Sequence, residues 1–231
     1  MIESNERKYP MYKYLLFDLD GTLTDPCEGI TKCAQYALHK AGIKEQNMEK
    51  LKLFIGPPLL DSFMNMYGMS EAEGKIAIAD YRERFAPIGV FENEIYPGVK
   101  ETLAELKAAG RILAVASSKA IPFIHQILEH FAITSYFDVV MGSELDGTRS
   151  TKEEVVEETL RQLDLLGQSA EFRHDNIVMI GDRKFDIEGA KAYQLASIGV
   201  MYGYAPAGEL EAAGAEYLVD SVAQLQALLL R

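Results

Sequence analysis

The sequence predicts an α/β fold: a parallel sheet wrapped by helices, interrupted by one all-helical insertion. Three observations carry that expectation. Short apolar runs of strand length alternate with segments of helical periodicity along most of the 231 residues. Several of the runs stop abruptly in small or acidic residues, as buried strands entering ligand loops do. One stretch, from about Pro26 to Glu94, carries helical patterns and no convincing strand.

In chain order, the first strand lies within Tyr12 to Leu19 and ends in acids and Gly21. A helix marked by Ile30, Cys33, Ala34, Ala37, Leu38 and Ala41 follows and stops at Gly42. Ser70 and Glu73 form a capping-box pair at the start of a further helix whose inward face is read from Ile76, Ala79, Tyr81 and Phe85. Pro97 opens a helix with Val99, Leu103 and Leu106 on one face, closed by Gly110. Ile112 to Ala116 is a strand ending at Ser117-Ser118-Lys119, followed by a helix bearing Ile124, Ile127, Leu128 and Phe131. Phe137 to Met141 is a strand ending at Gly142-Ser143, followed by a helix bearing Val155, Val156, Leu160 and Leu163. Ile177 to Ile180 ends at Gly181-Asp182, Ser197 to Met201 is a fifth strand, and Tyr217 to Val219 a short sixth. Strands separated by helices of this length imply parallel pairing through crossovers. The domain reading is a core of residues 1–25 and 95–231 with a helical cap at 26–94.

Composition removes several classes. The formal net charge is −12, with 35 acidic against 23 basic residues, which argues against binding a nucleic-acid polymer or an anionic membrane. No apolar stretch approaches the roughly 18 residues of a membrane span, and Met1 to Lys8 lacks a signal-peptide pattern. Cys27 and Cys33 have no matching histidines for a zinc site and suit reduced thiols in a cytoplasmic protein. His39, His125, His130 and His174 form no spaced ligand set. A small phosphorylated metabolite remains a fitting partner, provided local cations or a metal overcome the acidic background.

Chemistry concentrates at two strand ends. Alternation points Asp18 and Asp20 the same way after the first strand, and Asp182 with Asp186 follows the fourth. Acids in such places often only cap turns or helices. Three converging on neighbouring strand ends repel one another, and a hard dication such as Mg²⁺ relieves that repulsion.

The stretch Asp18-Leu19-Asp20-Gly21-Thr22-Leu23-Thr24-Asp25 resembles the first motif of the haloacid dehalogenase superfamily. Ser117 matches the second motif, Lys152 the third, and Gly181-Asp182 with Asp186 the fourth, in the family's order. The resemblance implies a Rossmann-like core, and the helical insertion is similar to the cap of the phosphoglycolate phosphatase-like branch. Gly142 to Arg149, Met179 to Lys184 and Ile198 to Tyr204 resemble bacterial members described as 5′-nucleotidases.

The resemblance implies a Mg²⁺-dependent phosphomonoesterase. Asp18 is then the nucleophile and Asp20 the general acid and base; Ser117 binds the phosphoryl group and Lys152 neutralises it. The metal falls to Asp18, the Asp20 carbonyl and Asp182, with Asp186 as support. Asp20 disfavours carbon–halogen cleavage, since dehalogenating relatives lack that acid. Glu153 follows Lys152 where the family usually has proline, which leaves Arg149 or Lys184 as alternative cations. Ser118, Lys119, Arg82 and Arg183 are candidate substrate contacts, Asp25 a turn or hinge residue, and Gly56-Pro57-Pro58 a cap loop near the substrate. Ser117 and Ser118 also suit helix capping, and Lys119 and Arg183 ordinary surface charge. The expected substrate is a nucleoside 5′-monophosphate. Phosphoglycolate, a phosphomutase reaction and a phospho-ligand sensor that does not hydrolyse are the alternatives.

Overall fold

The structure, a computed structural model, describes residues 11–231; the segment Met1 to Lys8 considered above lies outside the described residues. The first strand is β1 (Tyr14–Phe17). Two short strands, β2 (Thr24–Asp25) and β3 (Glu94–Ile95), pair antiparallel as a separate ribbon. The chain then forms β4 (Ile112–Ala120), β5 (Val139–Ser143), β6 (Ile177–Gly181), β7 (Ala196–Val200) and β8 (Tyr217–Val219). Among the described residues these join β1 in a six-stranded sheet of order β5-β4-β1-β6-β7-β8, every pairing parallel. From β1 the chain steps outward to β4 and β5, then returns to the opposite side of β1 at β6. Connections from β1 and β6 therefore leave in opposite directions, and a crevice opens at their carboxyl ends.

Strand periodicity sorts the core. Leu15 and Phe17 face one hydrophobic cluster while Leu16, between them, faces the other; none is more than 1% exposed. The first face carries α5 (Val99–Ala108), α6 (Ile121–His130) and α11 (Val222–Leu229). The second carries α7 (Lys152–Gln162) and α9 (Lys184–Ala192), with Phe172 of α8 (Ala170–Asn176) at its edge; α10 (Glu209–Ala213) is a short helix beyond β7. Truncating side chains this deeply packed costs about 2–5 kcal/mol each.

Between β2 and β3 lie α1 (Cys27–Lys40), α2 (Met48–Leu51), α3 (Leu59–Tyr67) and α4 (Glu71–Arg84). The capping box opening α4 is present, with the Glu73 amide donating to Ser70 Oγ at 3.3 Å and the Ser70 amide donating to Glu73 Oε2 at 2.8 Å. The inward face of α4 differs from the expected one. Gly74, Ala77 and Tyr81 are buried, whereas Ile76 is 64% exposed. Small residues let α4 approach α1 and α3 closely, so size rather than apolarity selected the face. α4 runs on into a π-helical turn, Phe85–Gly89, at Pro87, which has no amide proton to donate.

Strand β4 extends further than its apolar run. Its pairing with β5 shifts register between Ala116 and Ala120, so Ser117-Ser118-Lys119 lies in a bulge rather than beyond the strand. Bulges re-aim side chains at sheet edges and sites. Among the described residues, no helix is long and apolar enough to cross a membrane.

Candidate active site

The site is built at the carboxyl ends of β1 and β6. The Asp18 amide donates to the Ile180 carbonyl at 2.9 Å, carrying the β1–β6 ladder one residue past the strand. The chain then folds back sharply. The amides of Leu23 and Thr24 donate to the Leu19 carbonyl at 2.9 and 3.0 Å, and the Gly21 amide donates to the Thr24 carbonyl at 2.7 Å. Gly21 has φ +80°, and a Cβ there would fall 2.1 Å from Asp182 Oδ2. Gly21→Ala is expected to cost at least about 1–2 kcal/mol for the left-handed backbone alone. It should also displace Asp182, so a thermal melt and a Mg²⁺ titration should both show losses.

Lys152 is the first residue of α7. Thr151 caps that helix, its Oγ1 accepting from the Glu154 amide while Glu154 reaches back to the Thr151 amide. The ammonium group meets Asp18 Oδ1 at 2.8 Å, Asp186 Oδ1 at 2.8 Å and the Ala116 carbonyl at 2.9 Å. One hydrogen bond to the Ala116 carbonyl and two close ion pairs hold a lysine that is only 5% exposed. Burial opposes its charge, but the adjacent carboxylates of Asp18 and Asp186 win and hold the ammonium protonated well above the usual lysine range. The other two cations lie elsewhere: Arg149 donates to the Gly142 carbonyl and pairs with Glu144, and Lys184 sits against the Phe185 ring.

Asp182 is fully buried. Its Oδ2 accepts the Tyr204 amide at 2.7 Å, and its Oδ1 has no hydrogen-bond partner. Asp186 Oδ2 accepts the Arg183 amide at 3.0 Å, which fixes the start of α9 behind Asp182. Carboxylate oxygens of Asp18, Asp182 and Asp186 lie within 4.8 Å of one another. Burial, then the neighbouring charges of Asp186 and Asp18, push the Asp182 carboxyl well above the usual range. Asp186 is raised to about 6, by burial first and against the pull of Lys152.

Asp20 pairs through Oδ2 with Lys119, while its Oδ1 is buried without a partner. Burial raises the Asp20 carboxyl despite that lysine. Lys119 also lies 4.9 Å from the Phe85 ring centroid, so it touches both the core acid and the helical segment. Together, four buried carboxyl groups face two ammonium groups, an imbalance that opposes full ionisation of the acids without a further cation. Hard oxygen donors, an orphaned Asp182 oxygen and that imbalance fit a hard divalent cation.

Above these groups is a cavity of about 500 Å³, lined by Asp18, Asp20, Ser117, Ser118, Lys119 and Arg82. Its remaining wall is largely apolar and includes Ile30, Phe54, Ile78, Tyr81 and Phe85, with the Gly56-Pro57-Pro58 loop along one side. Ser117 is 2% exposed, and its Oγ accepts the Lys119 amide at 3.4 Å. Arg82 Nη1 donates to the Leu145 carbonyl at 2.7 Å. Arg183 does not line the cavity; its guanidinium is engaged by Glu209 and the Ile55 carbonyl. Asp25 accepts the Cys27 amide at 3.0 Å and also the Tyr204 hydroxyl, at the base of the β2–β3 ribbon.

Sequence reasoning passed over Tyr204, Glu209 and Ile55. Tyr204 meets Asp182 through its amide and Ile55 meets Arg183 through its carbonyl, which side-chain type does not disclose, and Glu209 is one acid among many.

A family model described as haloacid dehalogenase-like hydrolase matches residues 15–200. A 5′-nucleotidase of Pseudomonas aeruginosa is 44% identical over 218 residues, covering 94% of this chain and 96% of that protein. A phosphoglycolate phosphatase of Vibrio parahaemolyticus is 31% identical over 224 residues, covering 92% and 94%. The tyrosine-protein kinase PtkA of Mycobacterium tuberculosis is 36% identical over 190 residues; the match covers 82% of this chain and 62% of that protein. The crystal structure of a predicted phosphatase from Clostridium acetobutylicum superposes with TM-score 0.89 at 46% identity, covering 94% of this chain and 97% of that one.

Proposed function

Because this chain belongs to the haloacid dehalogenase-like hydrolase family and is a phosphoric monoester hydrolase, we propose that it is a Mg²⁺-dependent phosphomonoesterase that acts on nucleoside 5′-monophosphates through an aspartyl phosphate on Asp18. The observation that carries this reading is the placement of Asp18. Its carboxylate is paired with Lys152, close to Asp182 and exposed to the cavity, with Asp20 two residues on.

Asp18 attacks phosphorus, and the ester oxygen leaves with the proton of Asp20. The buried Asp20 carboxyl, raised above the ordinary range, suits it to hold that proton. Asp20, now a carboxylate, takes a proton from the water that attacks the aspartyl phosphate, releasing inorganic phosphate and restoring both acids. Ser117 donates to the phosphoryl oxygens, and Lys152 restrains Asp18 while balancing charge. Mg²⁺, held by the carboxylates of Asp18 and Asp182 and the Asp20 carbonyl with Asp186 behind, would supply charge stabilisation to the phosphoryl group.

Residues 26–94 act as a cap over the core formed by 1–25 and 95–231, excluding water and contacting the leaving group. The largely apolar, aromatic wall and the size of the cavity support a nucleoside over the much smaller glycolate. Two free thiols, Cys27 and Cys33, fit a cytoplasmic setting.

The test is phosphate release from nucleoside monophosphates, phosphoglycolate and sugar phosphates, with Mg²⁺ and after chelation. Metal-dependent release with nucleotides preferred is the expected result. A preference for phosphoglycolate would replace the substrate. Conversion of a sugar phosphate without free phosphate would favour a mutase. Binding without turnover of any compound would favour a sensor.

The metal should bind more tightly as pH rises. Burial raises the carboxyls of both Asp182 and Asp186, Asp186 to about 6, so as pH falls protons compete with the cation for the oxygens around it. Between pH 8 and 6, calorimetry should show weakening Mg²⁺ affinity with growing proton release. The stability of the metal-free protein should run the other way. The folded acids bind protons more readily than the unfolded chain, so melting temperature should fall as pH rises from the ordinary carboxylate range through about 6. A metal-free melting temperature that rises with pH would sink this account.

A further inference from the structure

We propose that Arg183 is the pin that docks the helical segment on the core, with Glu209 as its anchor and Gly56 as its socket. The proposal goes beyond the catalytic reading above and uses it only for its kinetic arm.

Arg183 is 6% exposed, unusual for arginine, and each of its three guanidinium nitrogens donates within the protein. Nε meets Glu209 Oε1 at 2.8 Å and Nη2 approaches Oε2 at 3.4 Å. Glu209 is itself held, since Oε1 also accepts the Lys184 amide at 3.0 Å. Nη1 turns the other way and donates to the Ile55 carbonyl, in the helical segment. The next residue, Gly56, has φ +104°, and a Cβ there would fall 2.7 Å from Arg183 Cγ and 2.9 Å from Nη1. The missing side chain is therefore the space that the arginine fills.

These contacts exclude the two simpler roles. A substrate ligand would line the cavity with free donors, and a surface charge would not be buried against backbone. The arginine follows Asp182 directly, so the pin ties the Gly56-Pro57-Pro58 wall of the cavity to the loop that carries an acid of the site. On the other side of β1, Arg82 makes the reciprocal contact, from helical segment to the Leu145 carbonyl after β5. Arg183 is a positioning residue: it touches no reacting atom and sets where the wall stands.

The test uses the full chain and the variants Arg183→Met, Arg183→Lys, Gly56→Ala and the Met/Ala double. Amide hydrogen exchange is followed in peptides covering 52–58, with 71–84 as the internal reference. Losing a hydrogen bond from a buried charged donor should speed exchange in 52–58 by on the order of tenfold, leaving 71–84 unchanged. Gly56→Ala should reproduce the effect, the double variant should be no worse than either single, and Arg183→Lys should fall between. In kinetics, Arg183→Met should raise KM for a nucleoside monophosphate several-fold more than for p-nitrophenyl phosphate. Unchanged exchange in 52–58, exchange rising equally throughout the chain, or fully additive single effects would each overturn the pin. If the wild type releases no phosphate, the catalytic reading fails and the exchange data still decide the pin.

Discussion

Asp18→Asn is expected to lower phosphate release by at least about 10⁴-fold while leaving the fold intact. Asparagine has the shape of aspartate but offers no nucleophilic oxygen of comparable strength, so no aspartyl phosphate forms. The stability terms oppose each other. Lys152 loses one anion yet keeps Asp186 and the Ala116 carbonyl, while Asp182 and Asp186 lose a repelling neighbour. The melting temperature should move by no more than a couple of kcal/mol would produce, about 1–2 kcal/mol in either direction. Steady-state phosphate release and a thermal melt on the same sample separate the outcomes. A well-folded variant that keeps about a tenth of wild-type activity would require another nucleophile, because a factor of ten is only about 1.4 kcal/mol of barrier.

Lys152→Met is expected to be the most damaging exchange for stability. It removes the one cation shared by Asp18 and Asp186 and strands the Ala116 carbonyl. Breaking a buried ion pair by deleting one partner costs about 3–5 kcal/mol, because the remaining charge is left unpaired. The loss has a pH signature. Without Lys152 the acids rise further, so protonation relieves the strain at pH 6 more than at pH 8, and the deficit in melting temperature should grow with pH. Mg²⁺ should restore much of it, since a dication replaces the missing charge, and its affinity should not weaken. Turnover should still fall by about 10²–10³-fold, as after removal of a charge-stabilising donor. A variant as stable as wild type at pH 8 without metal would show that Lys152 is not the internal counter-ion.

The parallel sheet was legible because buried strands leave continuous apolar runs, and the acids stood out because those runs stop at them. Lys152 was harder to read. Glu153 stands where a proline would preset the first helical turn, but Thr151 and Glu154 form a capping box and position Lys152 by another route. The β2–β3 ribbon was not legible, since two residues per strand lie below any periodicity. Ile76 misled because it is apolar yet faces solvent, while glycine and alanine make the α4 contact. The bulge at Ser117-Ser118-Lys119 depends on pairing with β5, a neighbour that local sequence does not reveal. Arg183 looked like any charge beside a strand end; its burial depends on Gly56 and Glu209, both distant in the chain.

The β2–β3 ribbon also bears on descent. Asp25 and Glu94 are register partners, so the chain leaves for the helical segment and returns from it on adjacent strands. An insertion whose ends meet is invisible to the sheet. Helices between those ends can be lengthened, shortened or exchanged, and β1 still finds β4 and β6 as its neighbours. Mutation can thus remodel the wall that faces the leaving group while Asp18, Lys152 and Asp182 stay in register. Under the function proposed above, the reaction and much of the choice of molecule are then inherited on separate pieces of chain, and one can drift while the other is held.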